Sequence, residues 1–511
     1  MNQYLKLIYF IEFLIISFLT LKRPLFLYQQ NRYDNKRYFD WLNANHKLNL
    51  NYYLLFLFLL LIVYFFNEIA FIVILLVTIA LSYKDKNKVY IKPLVLTSRV
   101  KRQAVVLLLL DILLYFFIPL KVIFMIVIFM NYLLLFPMGL ITSPIESLVR
   151  KHYKNLAKEI LDQRQDLIKV GITGSFGKTS SKNVLQEILT SKYYSLMTPK
   201  SFNTPMGLTI TIRNDLKRIH QAFICEMGAD HVGDIKELMN FIKPNIGIVT
   251  SIGPQHLNTF GSLENIINEK MLEIEMLPEN GLGIINYDNE HIKNYKIKNK
   301  VKVISIAIDC PADFRAINLK FNNNGSTFDV LHNGKIYHFQ TVLLGKHNIS
   351  NILLAIACGF ELGISWSELQ NAVATVKYIE HRLELKKING LNFIDNAFNS
   401  NPTGSKMSLD VLKGMDGKRV IVTPGMIDLG SKQAEINKEF GKYMLNRADY
   451  VLLIGKNQTE PIYQGLKEAS FDLTRVLVFD KVLEALDYVY HNFDGKDTIL
   501  LENDLPDAFN N

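Results

Sequence analysis

Apolar residues are distributed along this chain in two different ways. Over the first 150 residues they form long, nearly unbroken runs at 7–21, 52–66, 69–81, 104–120 and 122–141. A helix needs about 20 apolar residues to cross a bilayer, and several of these runs are shorter. The stretch 52–81 is too long for one helix and short for two. Two tilted or shallow helices turning at Asn67-Glu68 are expected there, with a re-entrant hairpin as the alternative. Pro119 and Lys121 mark a tight turn between the last two runs. From residue 166 the pattern changes. Short apolar segments at 167–172, 222–225, 246–250, 283–286 and 301–306 alternate with segments of helical periodicity, and more follow at 392–395, 419–423, 450–454, 475–478 and 498–501. Such alternation predicts mostly parallel sheets covered by helices on both faces. The expected fold class is an α-helical multi-span membrane region (1–150), then α/β: a central domain with a mostly parallel sheet (151–376) and a C-terminal α/β domain (377–511).

Charge gives the apolar runs a direction. The segments 22–51, 82–103 and the residues after 141 are rich in Lys and Arg, among them Lys22, Arg23, Arg37, Lys84, Lys88, Arg102, Arg150 and Lys151. The positive-inside rule puts all three in the cytoplasm, and five spans with an outside N-terminus satisfy it. A multi-pass protein of the cytoplasmic membrane follows, surrounded by membrane lipids, with the rest of the chain in the cytoplasm. The first run is not a cleavable signal, because Lys22-Arg23-Pro24 stands where small residues would be needed. The net charge of +9 belongs entirely to this region: residues 1–150 carry 16 Lys/Arg and 7 Asp/Glu, and the remainder carries 41 of each. A nucleic-acid partner is therefore excluded. Cys225, Cys310 and Cys358 are isolated, which reads as buried free thiols rather than a zinc site or disulfides. Asp111, inside the fourth run, is either a partnered structural carboxylate or a substrate contact.

The densest chemistry lies at 171–180, Gly-Ile-Thr-Gly-Ser-Phe-Gly-Lys-Thr-Ser, between a strand-like and a helix-like segment. Ile172 breaks the strict GxxxxGK[ST] pattern, but Thr173 to Thr179 fits TGxxGK[ST]. A glycine-rich turn at a helix start aims backbone N–H groups at one point, where the helix dipole also favours an anion. Gly174, Ser175, Gly177 and Ser180 belong to that phosphate cradle; Lys178 adds charge and the Thr179 hydroxyl can ligate Mg²⁺. Glu226 ends one strand-like segment and His256 lies just past another, at the strand ends where ligands of such sheets gather.

More motifs follow in order: Ser201-Phe202-Asn203-Thr204-Pro205-Met206-Gly207, Glu226-Met227-Gly228-Ala229-Asp230-His231, and Thr250-Ser251-Ile252-Gly253-Pro254-Gln255-His256-Leu257. Asn268-Glu269-Lys270, Gly345-Lys346-His347-Asn348-Ile349-Ser350-Asn351, His381-Arg382-Leu383-Glu384 and Ile394-Asp395-Asn396-Ala397-Phe398-Asn399-Ser400-Asn401-Pro402 complete the set. Together they resemble the Mur ligases, ATP-dependent amide-bond-forming enzymes of peptidoglycan precursor synthesis, over about residues 166–505. The resemblance is closest to the branch that adds D-alanyl-D-alanine to a UDP-linked tripeptide. It implies a P-loop central domain, a Rossmann-like C-terminal domain, and ATP and Mg²⁺ as cofactors. It also implies an acyl phosphate formed on a substrate carboxylate and attacked by the amine of an amino acid or short peptide.

By the same resemblance Lys178 holds the outer phosphates, and Thr179 and Glu226 hold one Mg²⁺. His256 and a carbamylated Lys270 serve a second. Asn203 and Thr204 lie near the substrate, and Asn348 and Asn351 near the adenine. Arg382 reaches the phosphates, and Asp395 the nucleotide or its metal. As bland alternatives, His256 is a hydrogen-bonded loop histidine, Lys270 a surface lysine, Asn203-Thr204 turn chemistry and the Asn348/Asn351 pair a helix start.

Two departures matter. Asn396 replaces a second Asp and Phe398 a Tyr, which puts the identity of the amine in doubt. The apolar runs stand where the family has a soluble domain that grips the UDP-sugar, so a lipid-linked or membrane-associated envelope precursor is the expected acceptor. A poly-γ-glutamate-type synthetase is the rival enzyme reading, and a nucleotide-gated membrane scaffold or transporter component the rival of another class.

Overall fold

The computed structural model describes residues 3–44, 69–86, 94–322, 324–378, 382–397, 402–427, 429 and 432–503. The expected turn at Asn67-Glu68, the run at 52–66, His381 and Phe398–Asn401 lie outside them. The chain divides into two units, Met1–Tyr153 and Lys154–Asn511.

In the first unit helices run over Gln3–Thr20, Lys22–Gln30, Asn35–Ala44, Ile69–Lys86, Ser98–Phe117 and Leu120–Asp162, the last passing the unit boundary. The segment expected as a basic loop, 22–51, thus contains two helices; Leu25, Tyr28 and Tyr38 give them apolar contacts to bury. The five-span expectation is corrected too. Among the described residues two helices are long and apolar enough to cross a membrane, Gln3–Gln30 and Phe129–Asp162, and Ile72–Tyr83 is a shorter apolar helix. The run at 104–120 sits in a helix that also carries Arg99, Lys101, Arg102 and Asp111.

The interior of this unit mixes polar side chains with apolar ones, and many aliphatic side chains are exposed. The buried face of Ser98–Phe117 carries Val100, Gln103, Leu107 and Asp111, while Val105, Leu109, Leu113 and Phe116 are exposed. Ser17, Thr78, Asn131, Thr142 and Glu146 are likewise buried, and Leu7, Ile11, Ile15, Leu76, Leu133 and Leu140 exposed. Asn131 sits between Asp111 and Thr20: its amide nitrogen faces both Asp111 carboxylate oxygens at 3.2 Å, and its oxygen accepts from Thr20 Oγ1 at 2.9 Å. Of the two readings of Asp111, this pairing favours the structural one. Glu146 is clamped by Arg102, whose Nε and Nη2 donate to its two oxygens at 2.8 and 2.9 Å.

The second unit holds two sheets. The first comprises β1 (Ile168–Thr173), β2 (Ser195–Met197), β3 (Ala222–Glu226), β4 (Ile246–Val249), β5 (Leu282–Asn286), β6 (Lys302–Ala307), β7 (Phe314–Asn322), β8 (Gly325–His332) and β9 (Lys335–Thr341). Their order is β2-β3-β1-β4-β5-β6-β7-β8-β9, parallel as far as β7, with β7–β9 an antiparallel meander. The apolar pattern did not reveal β2 or the meander. Strand β2 has only three residues, and β7 alternates buried with polar positions instead of forming an apolar run.

The second sheet comprises β10 (Glu384–Ile388), β11 (Leu391–Asn396), β12 (Arg419–Thr423), β13 (Tyr450–Ile454), β14 (Val476–Phe479) and β15 (Thr498–Glu502), in the order β10-β11-β15-β12-β13-β14. Only β10, which the apolar pattern also missed, runs antiparallel. Apolar strands such as Ala222–Glu226 are buried along their whole length, as expected of parallel strands covered on both faces. Both β1 and β11 are interior strands, flanked on each side in their sheets.

Candidate active site

β1 ends at Thr173, and the chain turns through Gly174–Gly177 into the helix Lys178–Thr190. Gly174 and Gly177 have φ of +147° and +83°, and a side chain at either would strike Thr250 or Asn351. The loop is fastened to the segment after β4. Ser175 N donates to Ser251 O at 2.6 Å, Gly253 N to Ser175 Oγ at 3.0 Å, and Thr250 Oγ1 to Phe176 O at 2.5 Å. Lys178 folds back over the loop, its Nζ donating to the carbonyls of Gly174 at 2.5 Å and Ser175 at 3.2 Å. Desolvation lowers its pKa, Glu226 and Asp230 oppose that, and the charge of Arg382 adds to it. Ser180 lies half-buried in the first helical turn.

Glu226, last in β3, is nearly fully buried and collects three donors. Thr179 Oγ1 and Lys182 Nζ reach Oε2 at 3.0 and 3.1 Å, and Asn203 Nδ2 reaches Oε1 at 3.3 Å. Thr204 caps the helix Pro205–Asn214 by accepting from Gly207 N at 3.3 Å, so its side chain has a structural task. His256 adopts a left-handed backbone (φ +56°) at the start of the turn Leu257–Phe260, and its Nε2 lies 3.2 Å from Asp230 Oδ1.

Lys270 is buried on the helix Leu263–Glu275, not on the surface, with Nζ 3.4 Å from Ala229 O. Desolvation, then the positive charge of Lys178, lower its pKa to about 7. Its neighbour Glu269 accepts from Ile235 N at 2.6 Å and Gly233 N at 2.9 Å, tying that helix to Asp234–Ile242.

Asn348 Nδ2 donates to Leu344 O at 2.8 Å, and Asn351 Oδ1 accepts from Ser181 Oγ at 2.9 Å beside Gly177. Both therefore brace the helix Lys346–Glu361 and the phosphate loop. Asp395 is paired with Lys386 Nζ at 2.9 Å and accepts from Ala397 N at 3.2 Å.

Asn396 is the last residue of β11. Its amide is turned inward: Oδ1 accepts from Leu383 N at 3.3 Å and Nδ2 donates to the buried Glu502 Oε2 at 2.8 Å, which Ser408 Oγ also reaches at 2.6 Å. The side chain braces the residue after Arg382. Burial raises the Glu502 carboxyl to about 7.

Lys182 was not singled out from sequence. Its signal is the i,i+4 spacing from Lys178, which puts both lysines on one helix face. Cys225 and Cys358 are buried as expected, whereas Cys310 is half-buried.

These residues fit a magnesium–nucleotide complex. Hydroxyl and carboxylate oxygens meet beside a cradle that a Cβ would fill, and Mg²⁺ takes one or two protein oxygens and completes its shell with phosphates and water. Among the described residues no group of three or more His, Cys, Asp or Glu could hold a metal by itself. The site defines a P-loop nucleotide-binding α/β protein. Residues 172–359 match the model of the Mur ligase middle domain and residues 381–502 that of the Mur ligase glutamate ligase domain. This chain belongs to the Mur ligase family, whose members are ATP-dependent, magnesium-using ligases that form amide bonds.

The family's MurF-type branch is the one it resembles. It is 28% identical to the UDP-N-acetylmuramoyl-tripeptide–D-alanyl-D-alanine ligase of Haemophilus influenzae over 61% of this chain and 68% of that one. Identity to the Bacillus subtilis enzyme of the same name is 28% over 68% of this chain and 75% of that one. MurF ligase from Thermotoga maritima in complex with ADP has the same fold, with a TM-score of 0.61 at 22% identity over 69% of this chain and 80% of that one. The chain is thus an enzyme, and the scaffold alternative is set aside. Neither family model reaches residues before 172.

Proposed function

We propose that this protein is a membrane-anchored ligase. It joins an amino acid or short peptide, through its amine, to a carboxylate of a lipid-linked or membrane-associated cell-envelope precursor, with its catalytic domains in the cytoplasm. One observation carries the membrane part: polar side chains such as Gln103, Asp111 and Asn131 are buried in the first unit while a band of aliphatic ones, among them Leu76, Leu109, Leu133 and Leu140, faces outward. Lipid rewards that arrangement and water penalises it. The relatives named above act, by their names, on a UDP-N-acetylmuramoyl-tripeptide and D-alanyl-D-alanine. An acceptor of the same peptide chemistry, presented at a membrane, is the corresponding substrate here.

In this reading the loop amides and Lys178 bind the phosphates, and Thr179 and Glu226 orient the metal, which when bound neutralises phosphate charge. Asn203 holds Glu226 from the acceptor side. His256, oriented by Asp230, and Lys270 flank the acceptor carboxylate, and Arg382 draws the C-terminal domain toward the phosphates. Phosphoryl transfer asks mainly for such positioning and charge compensation. The test is mass spectrometry of envelope precursors from cells carrying Lys178→Ala. A membrane-extracted species lacking one amino acid or peptide should accumulate. Accumulation only in the soluble UDP-linked pool contradicts the membrane acceptor.

A further inference from the structure

The side chain of Lys182 is wholly buried and yet ionic. An ammonium in the interior is costly unless paired, and removing one partner of such a pair is strongly destabilising. Lys182 Nζ meets two groups: Glu226 Oε2 at 3.1 Å and the backbone carbonyl of Lys200 at 2.5 Å. Lys200 has φ of +48°, a left-handed conformation uncommon for a lysine, where the chain enters 201–204. Three residues later Asn203 Nδ2 returns to Glu226 Oε1 at 3.3 Å, and Asn203 O accepts from Gly228 N at 2.9 Å. Lys182, Glu226, Asn203 and Lys200 therefore close a ring that joins the phosphate-loop helix, the end of β3 and the loop at 200–204.

We infer that Lys182 is a positioning residue that couples the metal-binding carboxylate Glu226 to the acceptor loop at 200–204. The inference rests on the proposed roles of Glu226 and Asn203 and adds a consequence they do not carry alone. Thr179 donates to the same Glu226 oxygen at 3.0 Å, and these two oxygens would hold the cation. Lys182 and Asn203 then keep the carboxylate aimed, and any movement of Glu226 is passed to the loop through the same contacts. Coupling of this kind is reciprocal: the factor by which metal changes acceptor affinity is the factor by which acceptor changes metal affinity.

The test uses the full-length protein in detergent or nanodiscs, with ADP binding followed by calorimetry over a range of Mg²⁺ concentrations. In Lys182→Gln, ADP affinity without Mg²⁺ should stay within about twofold of wild type, because Lys178 and the loop amides remain. The Mg²⁺ concentration giving half the enhancement should rise by about 10–100-fold, as when a metal ligand loses its supporting partner.

Should Lys182→Gln fail to fold, Lys182→Gln/Glu226→Gln removes both charges together and is compared with Glu226→Gln alone. Equal Mg²⁺ dependence in those two supports action through Glu226, whereas a further additive loss overturns it. If wild type itself shows no Mg²⁺-dependent ADP binding, the metal reading of Glu226 fails and the inference with it. If wild type shows that dependence and folded Lys182→Gln keeps it, the inference alone fails.

Discussion

Thr179 Oγ1 lies 3.0 Å from Glu226 Oε2, which brings the first turn of the helix Lys178–Thr190 and the end of β3 to one point. Two oxygen donors from separate strand–helix units meet there beside the phosphate cradle. Glu226→Gln keeps the shape and removes the charge. It should raise the Mg²⁺ requirement for nucleotide binding by roughly tenfold or more. Titration of ADP against Mg²⁺ measures this, and unchanged Mg²⁺ dependence counts against Glu226 as a ligand.

Lys270 should carry a carbamate in the working enzyme. Its pKa of about 7, set by burial and by Lys178, leaves the amine mostly neutral near pH 8, and only the neutral amine adds CO₂. With ¹³C-bicarbonate the wild type should give a carbamate carbon resonance that Lys270→Ala lacks. The signal should fade as pH falls below 7, where the amine becomes protonated.

Asn396→Asp would put a second carboxyl against buried Glu502, where Asn396 now donates at 2.8 Å. Like-charged buried groups cannot both ionise cheaply. The variant should lose about 1–3 kcal/mol at pH 8, less at pH 5 where the pair is protonated, and Asn396→Asp/Glu502→Gln should recover most of it. Denaturant unfolding gives all three values. The choice of amine should not change, because this side chain faces the domain interior.

Glu273 is a second buried acid, seated where Gly171 and Gly247 leave room for it, and burial raises its carboxyl to about 8. Its folded pKa exceeds its unfolded one, so the favourable proton linkage is complete below about pH 4.5 and is lost as pH rises through 8. Between pH 5 and 9, Glu273→Gln should gain a few kcal/mol relative to wild type, at about 1.4 kcal/mol per pKa unit. Melting curves at the two pH values test it, and a pH-independent difference contradicts it.

Much of the second unit was legible because its signals are local. The Thr173–Thr179 loop depends on glycines at two positions of positive φ, and uniformly apolar strands such as Ile246–Val249 mark buried parallel strands by themselves. What escaped depends on long-range contact. Lys182 has the sequence look of a solvated helix lysine until β3 brings Glu226 to it, and Asn396 looked like a lost charge until β15 placed Glu502 beneath it. The meander β7–β9 hid because its residues alternate. The first unit misled in the opposite direction. Hydropathy counted apolar residues in runs without seeing that Lys22–Gln30 and Asn35–Ala44 form helices of their own, or that Gln103, just before the fourth run, shares a buried helix face with Asp111.

The most direct test of the account is phosphate release by the full-length enzyme in nanodiscs. It is supplied with ATP, Mg²⁺ and D-alanyl-D-alanine or single amino acids, and with the same muramoyl-peptide carboxylate in lipid-linked or soluble UDP-linked form. A membrane-presented acceptor predicts acceptor-dependent phosphate release with the lipid-linked form and little with the soluble one. Equal or faster turnover of the soluble UDP-linked acceptor would contradict it.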